Sequence, residues 1–203
     1  MKKVTVIIPY NKNRGWLFDC IMSIFASDYN GEIEIILSKS DNGVGYNINR
    51  AIELATGDYI KFIAEDDMLT PNCISDSVEA IEFFDVIHGN AYYIRDGVIT
   101  GNFIPASHSP VLDQMLNRNK FHGGTLFYRA EVLKQNMFDE SLWTGEEYEL
   151  NLRLIKKGFK FGYCDSYMTY NRQHELQKSI GNKDSEYQRK RTKAIELIKK
   201  MYE

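Results

Sequence analysis

The first 63 residues alternate between two kinds of apolar pattern, and this alternation limits the possible folds more than any other feature of the chain. Short apolar runs at residues 4–8, 32–37 and 58–63 have the length of buried strands. Between them, apolar residues recur at helical spacing over residues 16–25 and 44–55, and Gly57 reads as the C′ residue of the second helix. This order predicts an α/β fold with a single, mainly parallel, Rossmann-like sheet and helices on both faces. Ligands of such sheets lie beyond the carboxyl ends of the strands.

Three consecutive acids follow the third predicted strand at its carboxyl end. Carboxylates as close as Glu65, Asp66 and Asp67 raise one another's pKa unless a cation lies among them, and Mg²⁺ or Mn²⁺ prefers such oxygen ligands. An acidic turn before a helix is the alternative, because Thr70 as N-cap and Pro71 as the first helical residue would start a helix there. The acids alone leave both interpretations open.

Length and composition favour one soluble domain. The chain has 203 residues, no low-complexity linker, and no apolar stretch near the about 20 residues that span a bilayer. The first apolar run is too short for a signal peptide. Cys20, Cys73 and Cys164 are scattered, which argues against a disulfide framework or zinc cluster and favours a cytoplasmic location. A net charge of −3 argues against nucleic-acid binding, and the basic run at residues 189–193 is interpreted as a solvated helix face.

The second half of the chain is less regular. A helix from Pro71 is followed by a strand at residues 85–88 and by a hairpin with Asp96 and Gly97 at its turn. Helices are then predicted from Pro110, over residues 146–157 with Gly158 at the end, and over residues 184–202, where an apolar stripe must cover the sheet or a partner.

Several motifs resemble those of family 2 glycosyltransferases of the GT-A fold. In chain order they are VTVIIPYN at residues 4–11, IMSI at 21–24, Asn49, ATGDYI at 55–60, EDD at 65–67 with Pro71, GGTLF at 123–127, FDE at 138–140, GEEYEL at 145–150 and YNRQH at 170–174. The resemblance covers nearly the whole chain. A narrower resemblance, to the amino-terminal domain of chlorovirus glycosyltransferases that build a capsid glycan, implies sugar transfer in the host cytoplasm.

The resemblance implies a donor site at the acidic motif. Asp66 matches the acid that binds a divalent metal, Mn²⁺ or Mg²⁺, which bridges the diphosphate of a nucleotide sugar. Asp67 and Glu65 would support ligation or contact the ribose. His174 matches a late histidine that can join the metal or a phosphate, and Arg172 lies close enough in sequence to assist. An exposed loop histidine is the alternative for His174.

The resemblance also implies a general base. Glu147 matches the carboxylate that takes a proton from the acceptor hydroxyl during an inverting attack, and Glu146 is the substitute if the register differs by one residue. The alternative for Glu147 is structural, because Thr144 at N-cap and Glu147 at N3 would form a capping box.

The remaining contacts are expected around these two groups. Pro9, Tyr10 and Asn11 would line the nucleotide pocket, and His122, Gly123 and Gly124 would face the acceptor, although paired glycines also suit a tight turn. Two departures from the family pattern stand out. Ser38, Lys39 and Ser40 occupy the place of paired acids that contact the nucleotide base. Ser38 or Ser40 could hydrogen-bond the base and Lys39 could approach a phosphate, but the resemblance implies neither contact. Ala64 replaces the first acid of the metal motif.

The sequence therefore predicts a metal-dependent, inverting glycosyltransferase. It would move a hexose or deoxyhexose from a nucleoside-diphosphate sugar, with UDP favoured, to a hydroxyl of a glycan or glycoprotein. Residues 1–100 would form the nucleotide-sugar half and residues 101–203 the acceptor half and closing helix of one domain, with further domains in a longer chain. A degenerate module that binds a nucleotide or glycan and a nucleotidyltransferase are the alternatives.

Overall fold

A computed structural model describes residues 1–10, 15–175, 177 and 186–203. The first half contains the predicted order of strands and helices, with each bound within about two residues of the expected one. Its elements are β1 (Val4–Tyr10), α1 (Leu17–Phe25), β2 (Ile33–Lys39), α2 (Val44–Leu54) and β3 (Tyr59–Phe62). β1 lies between β2 and β3 and pairs with both in parallel, so the three carboxyl ends share one edge of the sheet.

The second half adds five strands and five helices to the described structure. The elements are β4 (Met68–Leu69), α3 (Cys73–Ala80), β5 (Val86–Arg95), β6 (Val98–Phe103), α4 (Leu112–Asn117), β7 (Phe127–Arg129), α5 (Ala130–Gln135), α6 (Glu146–Lys156), β8 (Phe161–Arg172) and α7 (Glu186–Lys200). The predicted hairpin forms between β5 and β6, where Asp96 and Gly97 both have positive φ. The sequence did not predict β8.

All eight strands belong to one sheet in the order β2-β1-β3-β7-β5-β8-β4, with β6 paired to β5. The α/β prediction is confirmed, but the sheet is mixed rather than mainly parallel. Among the described strands, three pairings are parallel and four are antiparallel. The antiparallel pairings arise because the second half contributes a hairpin and the short strands β4 and β7, which do not follow a crossover helix.

Two local predictions were wrong. Gly57 does not end α2 as a left-handed C′ residue, since Ala55 is the C-cap and Gly57 is not among the glycines with positive φ. A Cβ there would lie 2.7 Å from the backbone nitrogen of Thr5, so close packing against β1 requires the glycine. The helix predicted from Pro71 begins at Cys73, and Asn72 rather than Thr70 is its N-cap, because the Thr70 hydroxyl donates instead to the Tyr167 carbonyl of β8 (2.6 Å).

Helices cover both faces of the sheet, as expected. On one face, α2, α5 and α6 contribute to an apolar cluster that also receives Ile198 of α7. On the other face, α1 and α3 pack with β1 and β8, and the three buried free thiols, Cys20, Cys73 and Cys164, belong to this second cluster. In the part of the chain that the structure describes, no helix is long and apolar enough to cross a membrane.

Candidate active site

A cavity of about 860 Å³ lies beyond the carboxyl ends of β1 and β3. One wall is formed by Tyr10 at the end of β1, by the start of α2, and by the acidic turn that follows β3. A second wall is formed by the end of α4, the start of α6 and one side of α7. The edge of the sheet at which parallel strands end is therefore open to a ligand, as the sequence predicted.

Asp66, which lines this cavity, contacts His174 although 108 residues separate them. Asp66 lines the wall, and its Oδ2 lies 2.8 Å from Nε2 of His174. The imidazole packs on Trp16 with the ring centroids 4.2 Å apart, which fixes the orientation of the ring. Both side chains are largely buried, so His174 is not the exposed loop histidine of the alternative interpretation.

Asp67 also lines the cavity, but both of its carboxylate oxygens accept hydrogen bonds from β8. The Asn171 amide donates to both oxygens (3.1 and 3.0 Å), and the Arg172 backbone nitrogen donates to Oδ1 (2.9 Å). Burial, with a smaller contribution from the charge of Asp66, raises the pKa of Asp67 to about 7, against the effect of these hydrogen bonds. The Arg172 guanidinium donates to the Asp66 carbonyl (3.0 Å) and to Asp19 (3.2 Å), so it braces the acidic turn from the side.

Glu147 and Glu146 line the second wall at the start of α6. The predicted capping box does not form, because Gly145 rather than Thr144 is the N-cap and has a left-handed φ of 81°. Glu147 is thereby free of the capping role, and burial raises its pKa to about 7, opposed by the positive charge of Lys61. A carboxylate with this pKa is suited to exchange a proton near neutral pH.

Gly123 leaves room for this carboxylate. A Cβ built on Gly123 would lie 2.6 Å from Oε2 of Glu147, which no real contact allows. His122 and Gly124 do not line the cavity: the His122 ring accepts a hydrogen bond from the Gly124 nitrogen (3.2 Å), and burial lowers the pKa of His122 to about 4. Of the three predicted acceptor residues, only Gly123 lies directly against the Glu147 carboxylate.

Lys61 is a fully buried cation beneath the site, and sequence reasoning gave it no role. Its ammonium donates to the carbonyl of Leu126 (3.2 Å) and to that of Gly124. Burial lowers the pKa of Lys61, while the carboxylates of Glu147 and Asp67 act in the opposite direction. Lys61 is therefore a buried positive charge that acts on the carboxylates of both Glu147 and Asp67.

Some of the predicted nucleotide contacts line the cavity and others do not. Pro9 and Tyr10 line the cavity, and Asn11 lies outside the described residues. Two other predicted contacts, Ser38 and Lys39, do not line it: the Ser38 hydroxyl donates to the Asn47 carbonyl (2.7 Å), and the Lys39 ammonium lies over the Tyr10 ring.

Ser40 and Asp41 line the cavity instead. The sequence analysis treated the paired acids after the second strand as absent. Asp41 follows the Ser-Lys-Ser run directly and lines this wall, so one acid is present one position later in the loop.

The wall of α4, α6 and α7 contains a group that the sequence did not reveal. Its members are Arg118, Trp143, Tyr187, Arg191 and Lys199, and all of them line the cavity. The basic run on α7 was interpreted as a solvated helix face, which describes Arg189, Lys190 and Lys193, all exposed. For Arg191 the interpretation was wrong, because helical periodicity turns this residue inward.

A comparison with protein-family models identifies the family to which this chain belongs. Residues 21–137, more than half of the chain, match the model described as glycosyl transferase family 2. The chain belongs to glycosyl transferase family 2. Amylovoran biosynthesis glycosyltransferase AmsB of Erwinia amylovora is 29% identical over 147 residues, which cover 66% of this chain and 48% of the relative. An uncharacterized glycosyltransferase of Rickettsia conorii is matched over only 36% of its length, so the chain spans about half or less of these relatives.

Solved structures show that this family 2 chain has the GT-A fold. S. aureus TarS 1–349 in complex with UDP-GlcNAc superposes with a TM-score of 0.72 at 16% identity, over 97% of this chain and 66% of that chain. The mannosyltransferase PcManGT from Pyrobaculum calidifontis, in complex with GDP-Man and Mn²⁺, superposes with a TM-score of 0.59 at 12% identity, over 81% and 56% of the two chains.

Glycosyltransferases of the GT-A fold commonly use a divalent metal, so the family raises the question of whether these residues fit one. Within the described ranges, no group of three or more His, Cys, Asp or Glu side chains is arranged around a metal position. Asp66 nevertheless offers a carboxylate oxygen at the cavity, the ligand type that suits Mn²⁺ or Mg²⁺, and the His174 imidazole beside it offers a nitrogen as a second ligand. Such ions complete their shells with phosphate oxygens and water, so two protein ligands fit a metal that arrives with a diphosphate.

Proposed function

We propose that this chain is the catalytic part of an inverting glycosyltransferase that uses a nucleoside-diphosphate sugar. It moves a hexose or deoxyhexose to a hydroxyl group of a glycan. The observation that carries the proposal is that one cavity is lined both by Asp66, whose carboxylate contacts His174, and by Glu147, whose pKa is raised to about 7. Residues 1–100 supply most of the donor wall, and residues 101–203 supply the acceptor wall.

Glu147 acts as the general base. The acceptor oxygen forms a bond to the anomeric carbon, its proton passes to Glu147, and the bond from that carbon to the diphosphate oxygen breaks with the electron pair on the oxygen. Attack from the Glu147 wall, opposite a leaving group at Asp66, inverts the anomeric centre. Glu146, the neighbouring carboxylate, adds negative charge that raises the pKa of Glu147.

Asp66 and His174 are the residues that would hold Mn²⁺ or Mg²⁺ when it arrives with the donor diphosphate. The ion supplies Lewis-acid stabilisation of the negative charge on the leaving group. Asp67 keeps the acidic turn in place through its hydrogen bonds to Asn171 and Arg172. Removing hydrogen bonds that hold a metal-binding segment in place commonly lowers metal affinity by about 10-fold to 100-fold.

The nucleotide wall is formed by Pro9, Tyr10, Ser40 and Asp41. A UDP-sugar is the preferred donor on the support of TarS, which has a similar fold and was solved with UDP-GlcNAc. PcManGT, solved with GDP-Man and Mn²⁺, supports the metal. The relatives described above are bacterial or archaeal, and the link to a chlorovirus capsid glycan stays a prediction from the sequence.

A thermal-shift screen with UDP-, GDP- and dTDP-sugars, each with and without Mn²⁺, tests the donor site. One donor with Mn²⁺ should stabilise the fold by about 2.7 kcal/mol at a hundredfold excess over Kd. Asp66→Asn should abolish this shift, whereas Asp113→Asn, an exposed acid of α4 outside the cavity, should leave it unchanged.

The reaction is tested separately by NMR analysis of the product's anomeric configuration, which should be opposite to that of the donor. Tight donor binding without transfer or donor hydrolysis under every metal would instead support a binding module. Pyrophosphate release from a nucleoside triphosphate would support a nucleotidyltransferase.

A further inference from the structure

The acceptor wall of the cavity exposes two aromatic rings next to the proposed base. Trp143 is half exposed and lies four residues before Glu147, and Tyr187 at the start of α7 is more than a third exposed. Their ring centroids are 5.6 Å apart in an edge-on arrangement, and both residues line the cavity. Exposed aromatic surface in a cavity is typical of a binding site, because it supplies a large rigid contact area to a ligand.

Three cations line the same wall: Arg118, Arg191 and Lys199. Within the described part of the chain, neither Arg118 nor Arg191 has an ion-pair or side-chain hydrogen-bond partner, and the Lys199 ammonium donates to the Asn117 carbonyl (3.1 Å). The acids of the donor wall, by contrast, follow the carboxyl ends of the strands. Glu146 and Glu147 belong to this wall as well, so the three cations lie on the same wall as the proposed base, and no Lys or Arg lines the donor wall among the described residues.

Helix stability explains only part of this charge. Arg118 is the C-cap of α4 and Lys199 lies in the last turn of α7, where positive charge favours the negative end of a helix. Arg191 lies in the second turn of α7, near the positive end of the helix, so the helix dipole gives no reason for it. Its partly buried position on the cavity wall points to a ligand with negative charge.

We propose that the acceptor is an anionic glycan, in which a carboxylate or phosphate group on or beside the accepting sugar binds Arg191, Arg118 and Lys199 while the sugar ring packs on Trp143 and Tyr187. This inference rests on the proposed glycosyl transfer and names its acceptor class. A planar guanidinium that binds an oxyanion through two parallel hydrogen bonds gives both affinity and orientation. The charge would thus select the acceptor and direct its hydroxyl toward Glu147.

The test compares matched acceptors that differ only in charge. A panel of disaccharides is prepared as uronic acids and as their methyl esters, and as sugar phosphates and their neutral parents. Binding is followed by tryptophan fluorescence, and Trp143→Phe identifies the signal. The wild type should bind at least one anionic member about tenfold more tightly than its neutral partner at 50 mM salt, and the difference should shrink at 500 mM salt as the charges are screened. The preferred pair shows whether the group is a carboxylate or a phosphate.

Variants of α7 provide the control. Arg191→Gln should remove the preference for the anionic member, whereas Arg189→Gln, an exposed neighbour outside the cavity, should retain it. The proposal is overturned if the wild type shows no preference within any pair, or if Arg191→Gln retains the wild-type preference. If the donor still produces its thermal shift in that case, only the anionic acceptor is lost; if no donor binds, the proposed transferase fails as well.

Discussion

Replacing Glu147 by glutamine should slow transfer strongly and, at the same time, stabilise the protein at alkaline pH. Burial raises the pKa of this carboxyl to about 7 from an ordinary value of 4.5. The unfolded chain therefore ionises at lower pH than the folded chain, and the free energy of unfolding falls as the pH rises from 4.5 to 7. A difference of roughly 2.5 pH units corresponds to about 3 kcal/mol, which is the destabilisation that the ionised Glu147 imposes at pH 8.

Glutamine fills nearly the same volume without ionising, so this penalty disappears in the variant. Urea unfolding at pH 8 should give a free energy of unfolding about 3 kcal/mol higher for Glu147→Gln than for the wild type. At pH 5 the carboxyl is protonated in the folded protein and only half a pH unit above its ordinary pKa of 4.5 in the unfolded chain, so the two proteins should differ by less than about 1 kcal/mol. Transfer at pH 7.5 should fall by about 10²-fold to 10⁴-fold, the usual contribution of a general base.

An exposed acid supplies the control for this measurement. Glu196→Gln on the outer side of α7 should change the free energy of unfolding by less than about 0.5 kcal/mol at either pH. If Glu147→Gln and the wild type show the same pH dependence of unfolding, Glu147 does not ionise with a raised pKa in the folded protein. The electrostatic part of the reasoning about the base is then wrong, whatever the variant does to transfer.

Three further substitutions probe neighbouring contacts. Gly123→Ala would place a Cβ 2.6 Å from the Glu147 carboxylate, so kcat should fall at least about tenfold, while Gly101→Ala, whose Cβ has 3.7 Å to its nearest neighbour, should leave kcat unchanged. Lys61→Met removes the cation that opposes the raised pKa of Glu147, so the acid limb of the pH profile of kcat/KM should move to higher pH; an unmoved limb would contradict this electrostatic role. Asn49→Ala breaks hydrogen bonds in both directions with the Phe138 backbone (2.9 Å each) and should lower the free energy of unfolding by about 2–4 kcal/mol in urea, compared with less than about 0.5 kcal/mol for Glu196→Gln.

The sequence was sufficient for the first half of the fold because the information there is local. Each strand and helix up to residue 62 has its own apolar period, and the order of the elements brings Glu65, Asp66 and Asp67 to the edge of the sheet. The strand β8 was missed for the opposite reason. Polar residues occur on both of its faces, and two register shifts against β5 interrupt the alternation on which strand prediction depends.

The candidate site was predictable only where motifs mark it. Asp66, Glu147 and His174 came from the family resemblance, and the structure places Asp66 and His174 together and Glu147 on a wall of the cavity that Asp66 also lines. Arg118 and Arg191 could not be found in this way, since they reach the cavity through the packing of separate helices. The burial of Lys61 could not be recognised either, because the same strand pattern is compatible with an exposed lysine and with a buried one.

The hydrogen bonds between Asp67 and β8 have a consequence for the order in which the molecule is built. They join residues that are 104 and 105 positions apart, and the contact of Asp66 with His174 spans 108. A nascent chain that ends before β8 already contains the whole acidic turn but lacks the hydrogen bonds from Asn171 and Arg172. Closing so long a loop is entropically costly, so donor recognition arises among the last events of folding. A bound donor would in turn hold β8 against the rest of the sheet, and the sugar nucleotide would thus act as a folding ligand for the carboxyl-terminal half.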